Sequence, residues 1–159
     1  MKIKIICIGK LKEKYLLDGI SEYSKRISKY SDIEIIELQD ESIPDNPSQK
    51  EIEAIKKKEA DKIKTHIDSH DYTCALALQG KQLTSEELAE KLLDITVQGY
   101  STIDFLIGGS LGLDDNLVTN SNLALSFSKL TFPHQLFRII LLEQIYRSFK
   151  INNNETYHK

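Results

Sequence analysis

The sequence has few of the residues that mark linkers, disulfides or metal sites. Seven glycines and three prolines in 159 residues are too few for a linker-rich or disordered chain, so we expect an ordered polypeptide. The two cysteines, Cys7 and Cys74, each lie in an apolar run with no Cys or His at ligand spacing, which predicts buried small hydrophobic residues. His66 and His70 form an isolated pair at i, i+4, so we expect no metal site.

Long apolar runs are also missing. Unbroken apolar stretches such as residues 139–142 fall far short of the roughly 18 residues that a transmembrane helix needs. We therefore expect a cytoplasmic protein without a membrane partner. With 40 % hydrophobic and 28 % charged residues, the chain fits one globular domain over residues 1–159.

Positive charge is scarce overall but unevenly distributed. The formal net charge is −3, which argues against a protein that coats nucleic acid through a basic surface. Residues 1–29 nevertheless carry a net charge of +5, residues 30–128 carry −11, and residues 129–159 carry +3. Ordinary variation between solvated faces accounts for this segregation, although the two basic ends could also converge on an anionic partner.

Strand-like and helix-like patterns alternate along the whole chain. Helical periodicity follows the first strand, and two capping boxes, Ser48 with Glu51 and Thr84 with Glu87, predict the starts of two further helices. Pro133 opens the last helix, which runs to about Lys150. The predicted strands cover residues 2–8, 33–38, 72–78, 103–107 and 123–127.

This alternation predicts an α/β domain with a parallel sheet and helices on both faces. In such sheets, ligands bind beyond the carboxyl ends of the strands. The turns after Leu78, Ile107 and Phe127 are therefore the places to look for a functional site.

The turn after Ile107 contains Gly108, Gly109 and Gly112. Glycine permits positive φ and close approach of a ligand to the backbone. The spacing matches neither a dinucleotide fingerprint nor a Walker loop. A tight structural turn and a ligand loop are equally compatible with it. The loop at residues 126–133 mixes apolar side chains with hydroxyls and could hold a flat group such as adenine, although a plain connection to the helix is the simpler reading.

The last helix is apolar around most of its circumference, including Leu136, Ile140 and Ile145. A helix of this kind is covered on both sides, which predicts a homodimer. Arg147 lies at i, i+4 from Glu143 and could simply pair with it. The tail after Ile151 is expected to be frayed.

Four motifs in the second half together resemble the ribosomal RNA large subunit methyltransferase H family. They occur in order and continue to the last residue of the chain. The motifs are the glycine turn at residues 108–112, residues 130–134, residues 138–147, and Tyr157-His158-Lys159.

The resemblance implies a SPOUT methyltransferase fold with a C-terminal trefoil knot, a homodimer, and S-adenosylmethionine as the methyl donor. It implies methylation of a pseudouridine in large-subunit ribosomal RNA, at the ring nitrogen between the two carbonyls, on the assembled ribosome. No metal is needed, because the sulfonium already carries a good leaving group.

The resemblance also assigns roles by position. Arg147, Tyr157 and His158 are its catalytic candidates, and it places substrate contacts at His134, Arg138 and Lys159. Many relatives have Arg where this chain has Lys159, which keeps the charge but lacks the planar fork. The implied cofactor contacts are Leu76, Gly108, Gly109, Gly112, Phe127, Ser128, Lys129, Leu130, Thr131 and Phe132.

Two other functions stay open from the sequence. One is a noncatalytic nucleotide-binding or RNA-binding adaptor that uses the same glycine turn. The other is an enzyme of the same class that acts on transfer RNA or on protein.

Overall fold

The computed structural model describes residues 1–159 as alternating strands and helices. The elements, in chain order, are β1 (Lys2–Ile8), α1 (Lys14–Ile27), β2 (Asp32–Leu38), α2 (Gln49–Lys64), β3 (Tyr72–Gln82), α3 (Ser85–Val97), β4 (Thr102–Ile107), α4 (Asp115–Thr119), β5 (Leu123–Ser126) and α5 (His134–Asn152).

The five strands form one parallel sheet in the order β2-β1-β4-β3-β5. β1 and β4 lie next to each other inside it and are buried along almost their whole length, as expected for strands covered on both faces. Because the strands are parallel, their carboxyl ends lie along one edge of the sheet. The α/β class and the parallel sheet predicted from sequence are confirmed.

Helices cover both faces of the sheet, as predicted. On one face, α1, α3 and α5 enclose the larger core, which includes Phe105 and Leu142. On the other face, α2 and α4 enclose a smaller core that includes Ile6 and Leu106. Both predicted capping boxes are present: Ser48 Oγ accepts from Glu51 N at 3.2 Å, and Thr84 Oγ1 accepts from Glu87 N at 3.1 Å.

The structure differs from the predicted elements in two places. The five-residue helix α4 was not predicted, because a segment this short has too few turns for a helical period. Strand β3 continues to Gln82, because Leu125 of β5 pairs first with Leu76 and then with Lys81.

The backbones of β3 and β5 pass very close to each other at Gly80. A Cβ on Gly80 would lie 2.7 Å from the backbone carbon of Ala124 and from the backbone nitrogen of Leu125. Glycine is therefore required where the irregular part of β3 meets β5, and the trefoil knot implied by the resemblance stays a prediction.

A buried charge cluster lies between the sheet and the C-terminal end of α2. Lys4 Nζ donates to Asp71 Oδ2 at 2.7 Å and to the His66 carbonyl at 2.8 Å, and it lies 3.3 Å from Asp104 Oδ1. The Asp104 side chain is fully buried. Burial raises the pKa of Asp104 to about 7, although Lys4 opposes this shift.

Both cysteines are free and buried, as predicted. Burial raises the pKa of the Cys7 thiol to about 11 and also raises the pKa of Cys74, so neither is a reactive thiolate. No helix in the structure is both long enough and apolar enough to span a membrane.

Candidate active site

A cleft of about 690 Å³ opens at the carboxyl ends of β3, β4 and β5. Its walls come from residues 76–79 at the irregularity in β3, the glycine turn after β4, and the loop between β5 and α5. The last two are turns that the sequence indicated, and the first includes the predicted strand end at Leu78, which continues as strand in the structure. The volume lies within the range of small-molecule sites, about 300–1,000 Å³.

Nine of the ten residues predicted to contact a cofactor line this cleft, and Lys129 does not. The lining also contains residues that were not predicted, notably Ala77, Gln79 and Phe137. Gln79 directly follows the predicted strand 72–78 and Phe137 lies one turn into the last helix, which was the available signal, whereas Ala77 lies inside the predicted strand and had none. The nine are Leu76, Gly108, Gly109, Gly112, Phe127, Ser128, Leu130, Thr131 and Phe132.

The glycine turn is tight, as one of the two interpretations of the sequence required, and it also lines the cleft, while its role as a ligand loop stays a prediction. A Cβ on Gly108 would lie 2.7 Å from Gly112 O and Leu113 N, which leaves no room for a side chain. Gly112 has φ +81° and donates its N–H to Gly109 O at 3.0 Å. The turn therefore presents bare backbone to the cleft.

Another part of the cleft lining is aromatic. The ring of Phe137 lies 5.0 Å from Phe127 and 6.2 Å from Phe132, measured between centroids. Leu130 is 69 % exposed beside them. Apolar rings together with bare backbone can enclose a flat, partly apolar ligand and read its polar edge.

A second, smaller cleft of about 340 Å³ has no apolar residue in its lining. It is formed by the β1–α1 loop, the end of β2 and the first residues of α5. His134 lines both clefts, so they adjoin each other. Apart from His134, the sequence pattern did not indicate this cleft, because its residues come from three distant segments. They are Gly9, Lys10, Lys12, Glu13, Gln39, Asp40, His134 and Gln135.

The predicted substrate contact of Arg138 does not fit its position in the structure. The side chain is only 1 % exposed. Its Nη1 donates to Glu37 Oε2 at 2.7 Å, and its Nη2 donates to the carbonyls of Ile8 and Gly9 at 3.0 and 2.9 Å. Arg138 therefore holds the β1–α1 loop in place and presents no free guanidinium to solvent.

The predicted catalytic residues Arg147, Tyr157 and His158 come together at the other end of α5. Arg147 Nη2 donates to Glu143 Oε1 at 2.6 Å, and Tyr157 Oη donates to the same oxygen at 3.0 Å. The Arg147 guanidinium also lies over the Tyr157 ring, 4.7 Å from its centroid. The pairing of Arg147 with Glu143 that the sequence allowed is therefore present. Burial of the Tyr157 hydroxyl, together with its hydrogen bond to the Glu143 carboxylate, raises the pKa of Tyr157 to about 12.

The C-terminal tail is ordered by these contacts, contrary to the frayed tail expected from sequence. His158 Nδ1 lies 3.2 Å from Arg147 Nη1, and its Nε2 lies 2.8 Å from Glu86 Oε1. Lys150 and Tyr30 both bond to Glu155. Lys159, the last predicted substrate contact, is exposed.

Neither cleft of the same chain is lined by Arg147, Tyr157 or His158. Arg147 lies thirteen residues after His134 along α5, which corresponds to about 20 Å at 1.5 Å per residue. Within one chain, the predicted cofactor and catalytic residues therefore lie at opposite ends of the same helix.

A parallel sheet with a ligand-sized cleft at its carboxyl edge defines an α/β protein of the kind that binds small molecules or cofactors there. The sequence profile described as "Predicted SPOUT methyltransferase" matches residues 1–158. The chain belongs to this family of SPOUT methyltransferases.

Proteins named ribosomal RNA large subunit methyltransferase H are similar over their whole length. Those from Streptococcus suis and Clostridioides difficile are 54 % and 55 % identical, over 100 % of both chains in each case. The family resemblance in the sequence is thereby confirmed. Among solved structures, a probable methylase family protein from Haemophilus influenzae matches 99 % of this chain and 70 % of its own, with a TM-score of 0.53 and 15 % identity, which supports the fold alone.

Proposed function

We propose that the protein transfers a methyl group from S-adenosylmethionine to a pseudouridine of large-subunit ribosomal RNA, at the ring nitrogen between the two carbonyls. The observation that carries the proposal is the cleft that part of β3 and the loops after β4 and β5 form at the carboxyl edge of the sheet. The relatives named as ribosomal RNA large subunit methyltransferases support the substrate class.

The volume and the lining of the large cleft support S-adenosylmethionine as its ligand. No atom lies within 4 Å of the position that a Cβ on Gly112 would occupy, so a ligand can approach the backbone there, and Phe127 and Phe132 provide an apolar wall for an adenine ring. When bound, S-adenosylmethionine supplies a methyl group activated by a positive sulfur. The residues of this chain then have to hold the cofactor, orient the target base and stabilise the anion formed when the ring nitrogen loses its proton.

Arg147, Tyr157, His158 and Lys159 are the proposed contributors beyond the two clefts. A guanidinium such as that of Arg147 can stabilise a uracil anion or grip a phosphate. Tyr157 and His158 pack on it and fix its orientation. Glu143 holds Arg147 in the free chain, and the approach of RNA would compete with this pair.

In a homodimer, Arg147 and the C-terminal tail of one copy can lie next to the cleft of the other copy. Because Arg147 lies about 20 Å along α5 from His134, it can act at a bound methyl group only if a second copy brings its own α5 and tail near the cleft. Leu136 on α5 is 42 % exposed and offers apolar surface for such contact. We propose that each active site combines the clefts of one protomer with the tail of its partner.

The charge distribution favours a structured RNA target over free RNA. The net charge of −3 gives little nonspecific attraction to phosphate, and only the two ends of the chain carry a net positive charge. We therefore propose action on the assembled ribosome, and accordingly a cytoplasmic location.

The test begins with calorimetric titration of the folded dimer with S-adenosylmethionine. Methyl transfer is then assayed on assembled ribosomes, free large subunits, transfer RNA and protein. We expect cofactor binding and transfer to ribosomes alone. Absence of cofactor binding would contradict the methyltransferase function and leave the adaptor function. Methyl transfer mainly to transfer RNA or to protein would show that ribosomal RNA is not the substrate.

A further inference from the structure

The small polar cleft has no role in binding the cofactor as described above. It adjoins the large cleft at His134 and has a lining without any apolar residue. Methyl transfer needs the attacking nitrogen within about 3–3.5 Å of the methyl carbon. The acceptor must therefore occupy a space that opens directly onto the cofactor cleft, and the polar cleft is such a space.

The loop that forms one wall of this cleft is held by buried Arg138 and its partly exposed partner Glu37. Arg138 bonds to the carbonyls of Ile8 and Gly9, and Glu37 Oε2 accepts from Leu11 N at 2.8 Å. The two side chains thus hold the β1–α1 loop on both sides of Lys10. Gly9 itself has φ +92°, a conformation that suits glycine. The cleft is consequently preformed.

Its side chains match the groups of a uracil nucleotide. Lys10 and Lys12 are exposed and belong to no ion pair of the structure, so they are free to meet a phosphate. Gln39 and Gln135 each carry an amide donor and an amide acceptor. This combination can pair with the carbonyl and N–H groups of a uracil edge.

His134 lies at the junction of the two clefts and is partly buried. Its Nε2 is 3.8 Å from the position of a Cβ on Gly9. Burial and the charge of Arg138 lower its pKa below the ordinary 6.5, while Asp40 acts in the opposite direction. The imidazole is therefore neutral at pH 7 and able to accept a proton. The charged groups around it are Lys10, Lys12, Glu13, Glu37, Asp40 and Arg138.

We infer that the polar cleft receives the target uracil-type nucleotide, flipped out of its RNA, and that His134 accepts the proton from its ring nitrogen. The inference rests on the proposed methyltransferase function and assigns the acceptor side of that site. It gives the β1–α1 loop a direct part in substrate binding, with Lys10 and Lys12 at the phosphate.

The proton and electron movements balance. The N–H bond of the ring breaks, its electron pair stays on nitrogen, and the proton moves to the His134 imidazole. The nitrogen forms a bond to the methyl carbon, and the bond from that carbon to the donor sulfur breaks with its electrons left on sulfur. The imidazolium then returns its proton to solvent.

The first experiment compares wild type with His134→Gln on ribosomes at saturating cofactor, across pH 5 to 9. We expect kcat to fall about 100-fold or more, as for loss of a general base, with cofactor affinity by calorimetry changed less than about 3-fold. The wild-type rate should rise with pH up to the pKa of His134 and then level off. The rate of His134→Gln should not show this rise and plateau.

The second experiment measures ribosome binding without cofactor by cosedimentation. Lys10→Glu with Lys12→Glu should weaken binding about 10-fold or more, since each removed phosphate contact lowers affinity. The matched control is Lys50→Glu with Lys57→Glu, two exposed residues of α2 outside both clefts, and it should bind as wild type does.

The outcomes separate this inference from the proposed function. If wild type neither binds S-adenosylmethionine nor methylates ribosomes, both fail. If wild type is active and His134→Gln keeps at least a tenth of its rate with the same pH profile, the role of His134 is overturned. Equal binding by the two lysine double variants would overturn the nucleotide cleft. These lysines are exposed, so this test stands even where His134→Gln fails to fold.

Discussion

At the scale of single residues, side chains of one chemical type have very different functions in this protein. Arg138 is buried and supports a loop, whereas Arg147 is partly exposed in an ion pair. Both belong to the same motif, and the sequence could not separate them. Their burial decides which one can meet a substrate.

Gly108→Ala should destabilise the glycine turn, because a Cβ there would lie 2.7 Å from backbone atoms of Gly112 and Leu113 that cannot move aside. We expect the free energy of unfolding to fall by about 2–3 kcal/mol and the dissociation constant for S-adenosylmethionine to rise at least about 10-fold.

The matched control is Gly109→Ala, whose Cβ would meet the side chains of Ile8 at 3.2 Å and Glu59 at 3.5 Å. Side chains can shift, so this change should cost about 1 kcal/mol or less. Denaturant unfolding and calorimetry measure both variants, and equal effects would contradict the steric argument.

Asp104 should make the stability depend on pH. Its pKa is about 7 in the folded protein and about 3.9 when unfolded. Between these values the folded state binds more protons, so the free energy of unfolding falls as pH rises from about 4 to 7. The change should be on the order of 2–4 kcal/mol, because one pKa unit corresponds to about 1.4 kcal/mol.

Urea unfolding across this range, with Asp104→Asn beside wild type, measures the effect. The amide cannot ionise, so the variant should show a much smaller slope. Asp45→Asn, in the exposed loop after β2, should keep the wild-type slope. An unchanged slope in Asp104→Asn would assign the pH dependence to other groups.

At the scale of elements, local patterns predicted most strands and helices correctly. Periodicity and capping residues act within a few positions, so the starts of α2 and α3 were predicted with the right caps. The extension of β3 and the ordered tail were not predicted, because both depend on partners far away in sequence: β5 for the first, and α5 with Glu86 for the second.

Arg147→Ala should abolish methylation and leave S-adenosylmethionine affinity within about 2-fold, because Arg147 does not line the cofactor cleft of its own chain. The measurements are methyl transfer to ribosomes, calorimetry, and thermal unfolding. The lost pair with Glu143 is partly exposed and contributes at most about 1 kcal/mol to stability. If the variant loses folding or dimerisation to the same degree as activity, the main function of Arg147 is its structural pair with Glu143.

At the scale of the whole molecule, two exposed lysines near the start of the chain lie at the opposite end of α5 from Arg147. Lys10 and Lys12 line the polar cleft near His134, and Arg147 joins the tail. In one protomer these groups cannot meet. In a two-fold dimer, the cleft of one copy can face the tail of the other, which would make one basic site from both ends of the sequence.

Mixing two inactive variants tests this composite site. His134→Gln disables the cleft side and Arg147→Ala the tail side, so a mixed dimer has one site with both changes and one intact site. After subunit exchange at equal amounts, about a quarter of wild-type activity should return. No recovery, with mixed dimers demonstrated by mass spectrometry, would indicate that each protomer uses its own tail.

The sequence by itself determined the alternation of strands and helices, the helix caps and the two loops of the large cleft after β4 and β5, because each depends on residues close together in the chain. Only the tertiary structure decided that Arg138 is buried against Glu37, Ile8 and Gly9, more than a hundred residues away. It also joined Gly9, Asp40 and His134 in one polar cleft and placed the tail at the far end of α5. Such contacts follow from how the sheet and helices pack, and no local pattern encodes them.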